Sequence, residues 1–160
     1  ARNKFIRNLA LTAKGNTLVL FQFVDKHGKV LYDMISDKAE NAYYVHGGTD
    51  TSDREAVRGI VEKKKDAIIV ASYGTFSTGV NIRNIHNIIF ASPYKSQIKV
   101  LQSIGRGLRK SDNGQATTLF DIADDMSWQS SKNFALRHSE ERVKIYANEQ
   151  FKFEVHEVKL

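Results

Sequence analysis

Residues Thr17–Val24 read TLVLFQFV, a nearly continuous apolar run of β-prone side chains interrupted only by Gln22. A run of that length and composition is a strand buried on both faces, because a half-exposed strand would alternate polar and apolar residues. Upstream, Phe5, Ile6, Leu9 and Ala13 recur at helical spacing and stop near Gly15-Asn16. The unit is helix, then buried strand, and it repeats. Val30–Ile35 has a helical pattern, Ala42–Val45 is a short strand, and Asp53–Lys65 is a charged helix with Ala56, Val57, Ile60 and Val61 on one face. Ala67–Ala71 (AIIVA), Ile85–Ala91 (IHNIIFA) and Thr117–Ile122 (TTLFDI) are further strands, and Gln97–Ile104 is a helix. Short apolar strands alternating with helices imply parallel pairing, with crossover helices covering both faces. The expected architecture is α/β: an open parallel sheet with helices on both faces.

After Asp124-Asp125 the pattern changes. Ser127 is placed to cap a long helix running to about Ala147, and Phe151–Val155 alternates like a strand. We expect residues 1–125 to form the sheet domain and 126–160 a C-terminal helix and strand extension packed on it. There is a single proline, Pro93, with no internal repeat and no low-complexity tract to mark a linker.

The 160 residues are 41% hydrophobic and 26% charged, ordinary for a globular domain with one core. No apolar run approaches the roughly 18 residues of a membrane span. The chain has no cysteine, which excludes disulfides, thiolate zinc sites and a cysteine nucleophile and points to an intracellular setting. A formal charge of +6 favours a polyanionic partner, since lysines and arginines that neutralise phosphates release condensed counterions. Arg2-Asn3-Lys4 leads into an amphipathic pattern, not a signal peptide. The first residue is Ala1, which fits a chain cut from something longer.

In open α/β sheets ligands sit beyond the carboxyl ends of the strands, so the loops of interest are 22–29, 46–53, 72–84, 92–96 and 123–127. Two familiar motifs nearly occur there. Gly74–Asn81 has the two glycines of a phosphate-binding loop, but Val80-Asn81 replaces the lysine and hydroxyl that reach phosphate and magnesium. Leu119-Phe120-Asp121 resembles a strand ending in a magnesium-binding aspartate, yet no such loop precedes it and no Glu follows. The five histidines are scattered, and no metal site is assigned.

The remaining loop-helix segment, Gln102–Lys110 (QSIGRGLRK), carries a stronger pattern. On a helix Gln102, Arg106 and Arg109 project from one face, while Gly105 and Gly107 let another surface approach the backbone. Two fixed guanidinium groups suit phosphate oxygens, because each offers paired donors and stays charged. By itself the pattern also fits a basic, solvated helix end.

In context, QSIGRGLR resembles motif VI of the superfamily 2 helicases, Q-x-x-G-R-x-x-R, at every fixed position. Ile69–Ser72 followed by Thr78–Asn81 resembles motif V, Thr17–Val24 resembles motif IV, and Tyr44–Gly47 with Arg54 resembles the His-Gly segment and its helix. The resemblance covers about residues 1–125 and implies the second RecA-like lobe of such a helicase. A closer likeness, to the phage recombination helicases, is carried by Val19–Gly28 (VLFQFVDKHG), Tyr43–Glu55 (YYVHGGTDTSDRE) and Val70–Lys110, and extends over the whole chain.

That resemblance implies an ATP-dependent DNA helicase acting on branched recombination and stalled-fork intermediates, in the cytoplasm of a bacterial host. Arg106 and Arg109 would be arginine fingers on the γ-phosphate, with Gln102 sensing nucleotide beside them. Gly79 and Asn81 would line the ribose side, although aspartate is more usual in the family at the second position. Phe21, Gln22, His46, Gly47, Ser72, Gly74 and Thr75 would lie along single-stranded DNA. For two of these a structural role stands beside the functional one: Phe21 as core, His46 as the anchor of its own loop. Lys132, Arg137, Arg142 and Lys144 either track DNA or are solvated and paired with Glu140 and Glu141. ATP and Mg2+ would be held mainly by an N-terminal lobe absent from these residues, so the chain alone is expected to be inactive. The alternative is a non-catalytic nucleic-acid-binding or partner-docking domain with the same fold.

Overall fold

The computed structural model describes residues 1–77, 84–92, 117–125, 134–148 and 154–160. Five strands form one parallel sheet in the order β2-β3-β1-β4-β5: β1 (Thr17–Phe21), β2 (Ala42–Val45), β3 (Ile68–Ser72), β4 (Asn87–Phe90) and β5 (Thr118–Asp121). Between and beside them lie α1 (Arg2–Thr12), α2 (Lys29–Ser36), α3 (Thr51–Lys63), the short α4 (Tyr73–Ser77) and α5 (Phe134–Asn148).

Side chains of a strand alternate between faces, and the core divides accordingly. Val19, Phe21, Ile68, Val70 and Ile89 face Ile6 and Ala10 of α1 and Leu31 and Ile35 of α2. Leu18, Leu20, Ile69, Ala71, Ile88 and Phe90 face Val61 of α3 and Tyr146 of α5. Every residue of the central strand β1 is therefore buried, as its unbroken apolar run requires.

The amino-terminal edge of the sheet is organised by Asn16, which is fully buried. Its Nδ2 donates to the carbonyls of Val61, Lys64 and Asn84, and its Oδ1 accepts from the amide of Ala67. Its own amide donates to His86 Nδ1, and its carbonyl accepts from the amides of His86 and Asn87. Gly15, at φ +97°, makes the turn into this node, and a Cβ there would lie 2.7 Å from the His86 ring.

Several element boundaries differ from the sequence expectation. β1 stops at Phe21, level with Ser72 of β3, and the continuation to Val24 does not occur. Beyond that level the chain turns away, Val24–Gly28 winds as one π-helical turn, and Gly28 lies so close to the Phe21 ring that a Cβ would overlap it. α3 begins at Thr51, two residues before Asp53, and its exposed first turn carries no apolar residue by which a periodic pattern could mark it. β4 is shortened at its start because His86 is engaged by Asn16. Glu154–Leu160 is exposed and without regular structure, so the described end of the alternating 151–155 stretch is not a strand. The Gln97–Ile104 helix and the Ser127 cap lie outside the described residues.

Candidate functional site

Parallel strands bring all five carboxyl ends to one edge, and the loops that leave it are those the sequence singled out. From β1 come Gln22 and Phe23, both exposed, with Phe23 at 57%. Phe21 itself is fully buried and stacks on Tyr44 with ring centroids 5.8 Å apart. Its side chain shapes this edge from beneath.

From β2 comes the turn His46–Thr49. The amide of His46 donates to Thr49 Oγ1, and the amide of Thr49 donates back to the His46 carbonyl. His46 Nδ1 accepts from the Gly48 amide at 3.1 Å, which leaves Nε2 as the ring nitrogen not used by the turn. Arg54, on α3, clasps the turn by donating from Nε to the Thr49 carbonyl and from Nη2 to the Gly47 carbonyl. Gly47 and Gly48 are exposed, and a Cβ at Gly47 would meet nothing within 4 Å. The loop-anchoring role of His46 is thus visible in the structure and leaves one ring nitrogen available.

From β3 the chain passes directly into α4. Ser72 Oγ and Thr75 Oγ1 are 2.8 Å apart, and both residues are buried, so these hydroxyls satisfy each other inside the turn. Gly74 is exposed. The first glycine of the near phosphate loop lies in a helical turn, not in an extended cradle. Gly79, Asn81, Gln102, Arg106 and Arg109 lie outside the described residues.

Contacts that the sequence reading did not anticipate hold this edge together. Ser92, just past β4, is buried; its Oγ accepts from the Gln22 amide at 2.9 Å, and its carbonyl accepts from the Tyr73 hydroxyl at 2.7 Å. Burial, and then the Asp121 charge, push the Tyr73 phenol well above its ordinary range, so it is a permanent donor. At the end of β5, Asp121 accepts from Arg142 Nε and Nη2 and from the Tyr146 hydroxyl, all on or from α5. Arg142 is buried, which corrects the view of it as a solvated or DNA-tracking residue: neither Glu140 nor Glu141 but Asp121, across the fold, is its partner. Burial alone would lower its pKa, but the hydrogen bond and charge of Asp121 more than offset that. Arg2 ties α1 to the same edge through Asp124 and the Ala91 carbonyl. No motif marks these contacts, since each joins residues far apart in the chain.

Residues 1–111 match the family described as the helicase conserved C-terminal domain. The ATP-dependent DNA helicase uvsW of Enterobacteria phage T4 is 37% identical over 172 residues, a match covering 99% of this chain and 34% of that protein. The crystal structure of T4 UvsW superposes with a TM-score of 0.77 at 38% identity, covering 94% of this chain and 33% of that one. The C-terminal domain of the DEAD-box protein Dbp5 shares the fold at a TM-score of 0.71 and 14% identity, covering 92% of this chain and 79% of that one. The chain thus spans about a third of the length of its phage relative. With a family match over most of its length and a RecA-like sheet, the chain belongs to the helicase conserved C-terminal domain family.

Proposed function

We propose that this chain is the C-terminal motor lobe of an ATP-dependent DNA helicase or translocase acting on branched DNA, in recombination, repair and stalled-fork processing by unwinding and branch migration. Its setting would be the cytoplasm of a bacterial host. Residues 1–125 form the RecA-like lobe and 126–160 its extension. The observation that carries the reading is the 37% identity to an ATP-dependent DNA helicase across 99% of the chain, together with the intact QSIGRGLR segment.

ATP and Mg2+ are held mainly by the N-terminal lobe, and the bound nucleotide supplies the phosphoanhydride whose hydrolysis drives the cycle. Arg106 and Arg109 would meet the γ-phosphate when the lobes close, where two guanidinium groups would stabilise the charge that develops in phosphoryl transfer. In this reading Gln102 would sense nucleotide beside the arginines, and Gly79 and Asn81 would serve the ribose side, where an asparagine amide would hydrogen-bond without charge. DNA runs along the carboxyl edge, contacted by the exposed Gln22, His46 Nε2, Gly47 and Gly74. Phe21, Ser72 and Thr75 give those loops their shape. Such contacts hold phosphates without reading sequence.

The test is ATP turnover, with and without a forked oligonucleotide, by this chain alone and by the full-length protein. Turnover by the full-length protein only, abolished by Arg106→Ala or Arg109→Ala, is the expected result. Turnover by this chain alone, or arginine variants with undiminished rates, overturns it. Oligonucleotide binding with no turnover in either form leaves the non-catalytic binding domain as the correct reading.

A further inference from the structure

Phe23 leaves the carboxyl edge of the sheet with its side chain in solvent. Phe21, Tyr73 and Phe90 at that edge are buried, whereas Phe23 is 57% exposed. Among the described residues the ring contacts of this edge run Phe21–Tyr44, Tyr44–His46 and Tyr73–Phe90, and Phe23 is in none of them. Core packing therefore gives no account of an aromatic side chain at this position.

Its backbone, by contrast, is fixed from both sides. The amide of Gln22, just before it, donates to the Oγ of the buried Ser92. The Phe23 carbonyl accepts from the amides of His27 at 3.2 Å and Gly28 at 2.9 Å, which closes the π-helical turn Val24–Gly28. That turn is fastened in its own right. The Val24 carbonyl accepts from the Tyr44 hydroxyl, His27 Nε2 lies 3.1 Å from Asn3 Oδ1, and a Cβ on Gly28 would lie 2.2 Å from the Phe21 ring. Single π-helical turns are rare and recur at functional sites. A ring displayed on so fixed a stem has already given up the backbone freedom that binding would otherwise cost. Its exposed neighbours in the chain are polar: Gln22, Asp25 and Lys26. One ring among them is a small apolar patch for a protein interface, but it matches a single strand, which offers base faces to stack on and phosphates to a lysine.

We propose that Phe23 is a nucleic-acid-binding residue that stacks on a base of single-stranded DNA at the end of β1. The inference rests on the function proposed above and adds a base contact to contacts that are otherwise polar. Because every base has a π face, the stacking holds the strand without selecting its sequence.

The measurement is the affinity of the full-length protein for a single-stranded oligonucleotide and for an abasic strand of equal length, with the DNA-free ATP turnover and the melting temperature beside it. Phe23→Ala is expected to lose about tenfold in affinity for the base-bearing strand, the scale of one stacked base, with the other three quantities held. Phe23→Leu keeps an apolar side chain without a π face and is expected to lose as much. Phe23→Trp is expected to keep the affinity and to add fluorescence that the base-bearing strand quenches and the abasic strand does not. Undiminished affinity in Phe23→Ala overturns the proposal. So does an equal loss on both strands, which marks a contact to the sugar-phosphate chain alone. A fall in DNA-free turnover that Phe23→Leu restores overturns it too, since that marks packing against another lobe. If the unmodified protein binds neither strand, the proposed function fails and the stacking with it; if it binds both strands equally, only the stacking fails.

Discussion

Arg142 grips Asp121 at two points, Nε to Oδ2 at 2.6 Å and Nη2 to Oδ1 at 2.8 Å, and so fastens α5 to the last residue of β5. The two side chains are only 6% and 15% exposed. Removing the guanidinium leaves a mostly buried carboxylate with only the Tyr146 hydroxyl as a partner here, so Arg142→Ala should cost about 3 kcal/mol. Urea titration of the variant measures it. The combined change Arg142→Met, Asp121→Leu and Tyr146→Phe should recover most of the loss, because it leaves neither an uncompensated charge nor the Tyr146 hydroxyl without its acceptor.

Asn16 uses both ends of its amide within a fully buried site. Asn16→Ala leaves the Ala67 amide and several carbonyls without that partner, and should lower stability by roughly 2–4 kcal/mol. Asn16→Asp should fail as well, because a carboxylate cannot donate to the Val61, Lys64 and Asn84 carbonyls. Denaturant midpoints of the two variants decide this.

His27 is partly buried against α1, with Nε2 3.1 Å from Asn3 Oδ1. Burial lowers its pKa below the ordinary value of 6.5, the nearby Arg2 lowers it further, and Asp124 pulls the other way. The unfolded chain therefore binds a proton at a higher pH than the folded one. The stability from a neutral His27 is complete above about pH 6.5 and is lost as the pH falls below that toward the depressed folded value. Melting curves between pH 5 and 8 should show an acid-side decline that is smaller in His27→Gln.

Gly28 has no room for a side chain: a Cβ would sit 2.2 Å from the Phe21 ring. Gly28→Ala should displace that ring and, through it, Tyr44, at a cost of about 1–3 kcal/mol from overpacking. Tyr44 stacks on Tyr32, and its hydroxyl donates to the Val24 carbonyl, so a changed near-ultraviolet circular dichroism signal should accompany the loss.

The sheet was legible in the sequence because buried parallel strands leave little choice of residue: TLVLF, IIVA and NIIF are short, continuous apolar runs of the kind that only a strand covered on both faces requires. Boundaries were less legible where a polar contact, not apolar content, ends the element. The amide of Gln22 turns to Ser92, and His86 is drawn to Asn16, and neither bond has a local signature. The carboxyl-edge loops followed from topology alone, but which of their residues face outward did not. Phe21 and Phe23 look equivalent in the string, yet one is fully buried and the other is 57% exposed, because the first is the last residue of a strand covered on both faces and the second lies past its end. Arg142 reads as one more charge on a basic helix, and only the approach of α5 to β5 reveals its partner.

The strand order also bears on how the chain is made. Thr17 pairs with Ile68 on one side and Asn87 on the other, and never with the strand that follows it in sequence. During synthesis the most apolar segment must therefore leave the ribosome long before either neighbour exists. Until β3 and then β4 emerge, TLVLF has both edges unpaired and both faces uncovered, and it is then a target for chaperones and for its own copies on adjacent nascent chains. Slowing translation ahead of β3 should reduce the soluble yield more than the same pause placed after β4.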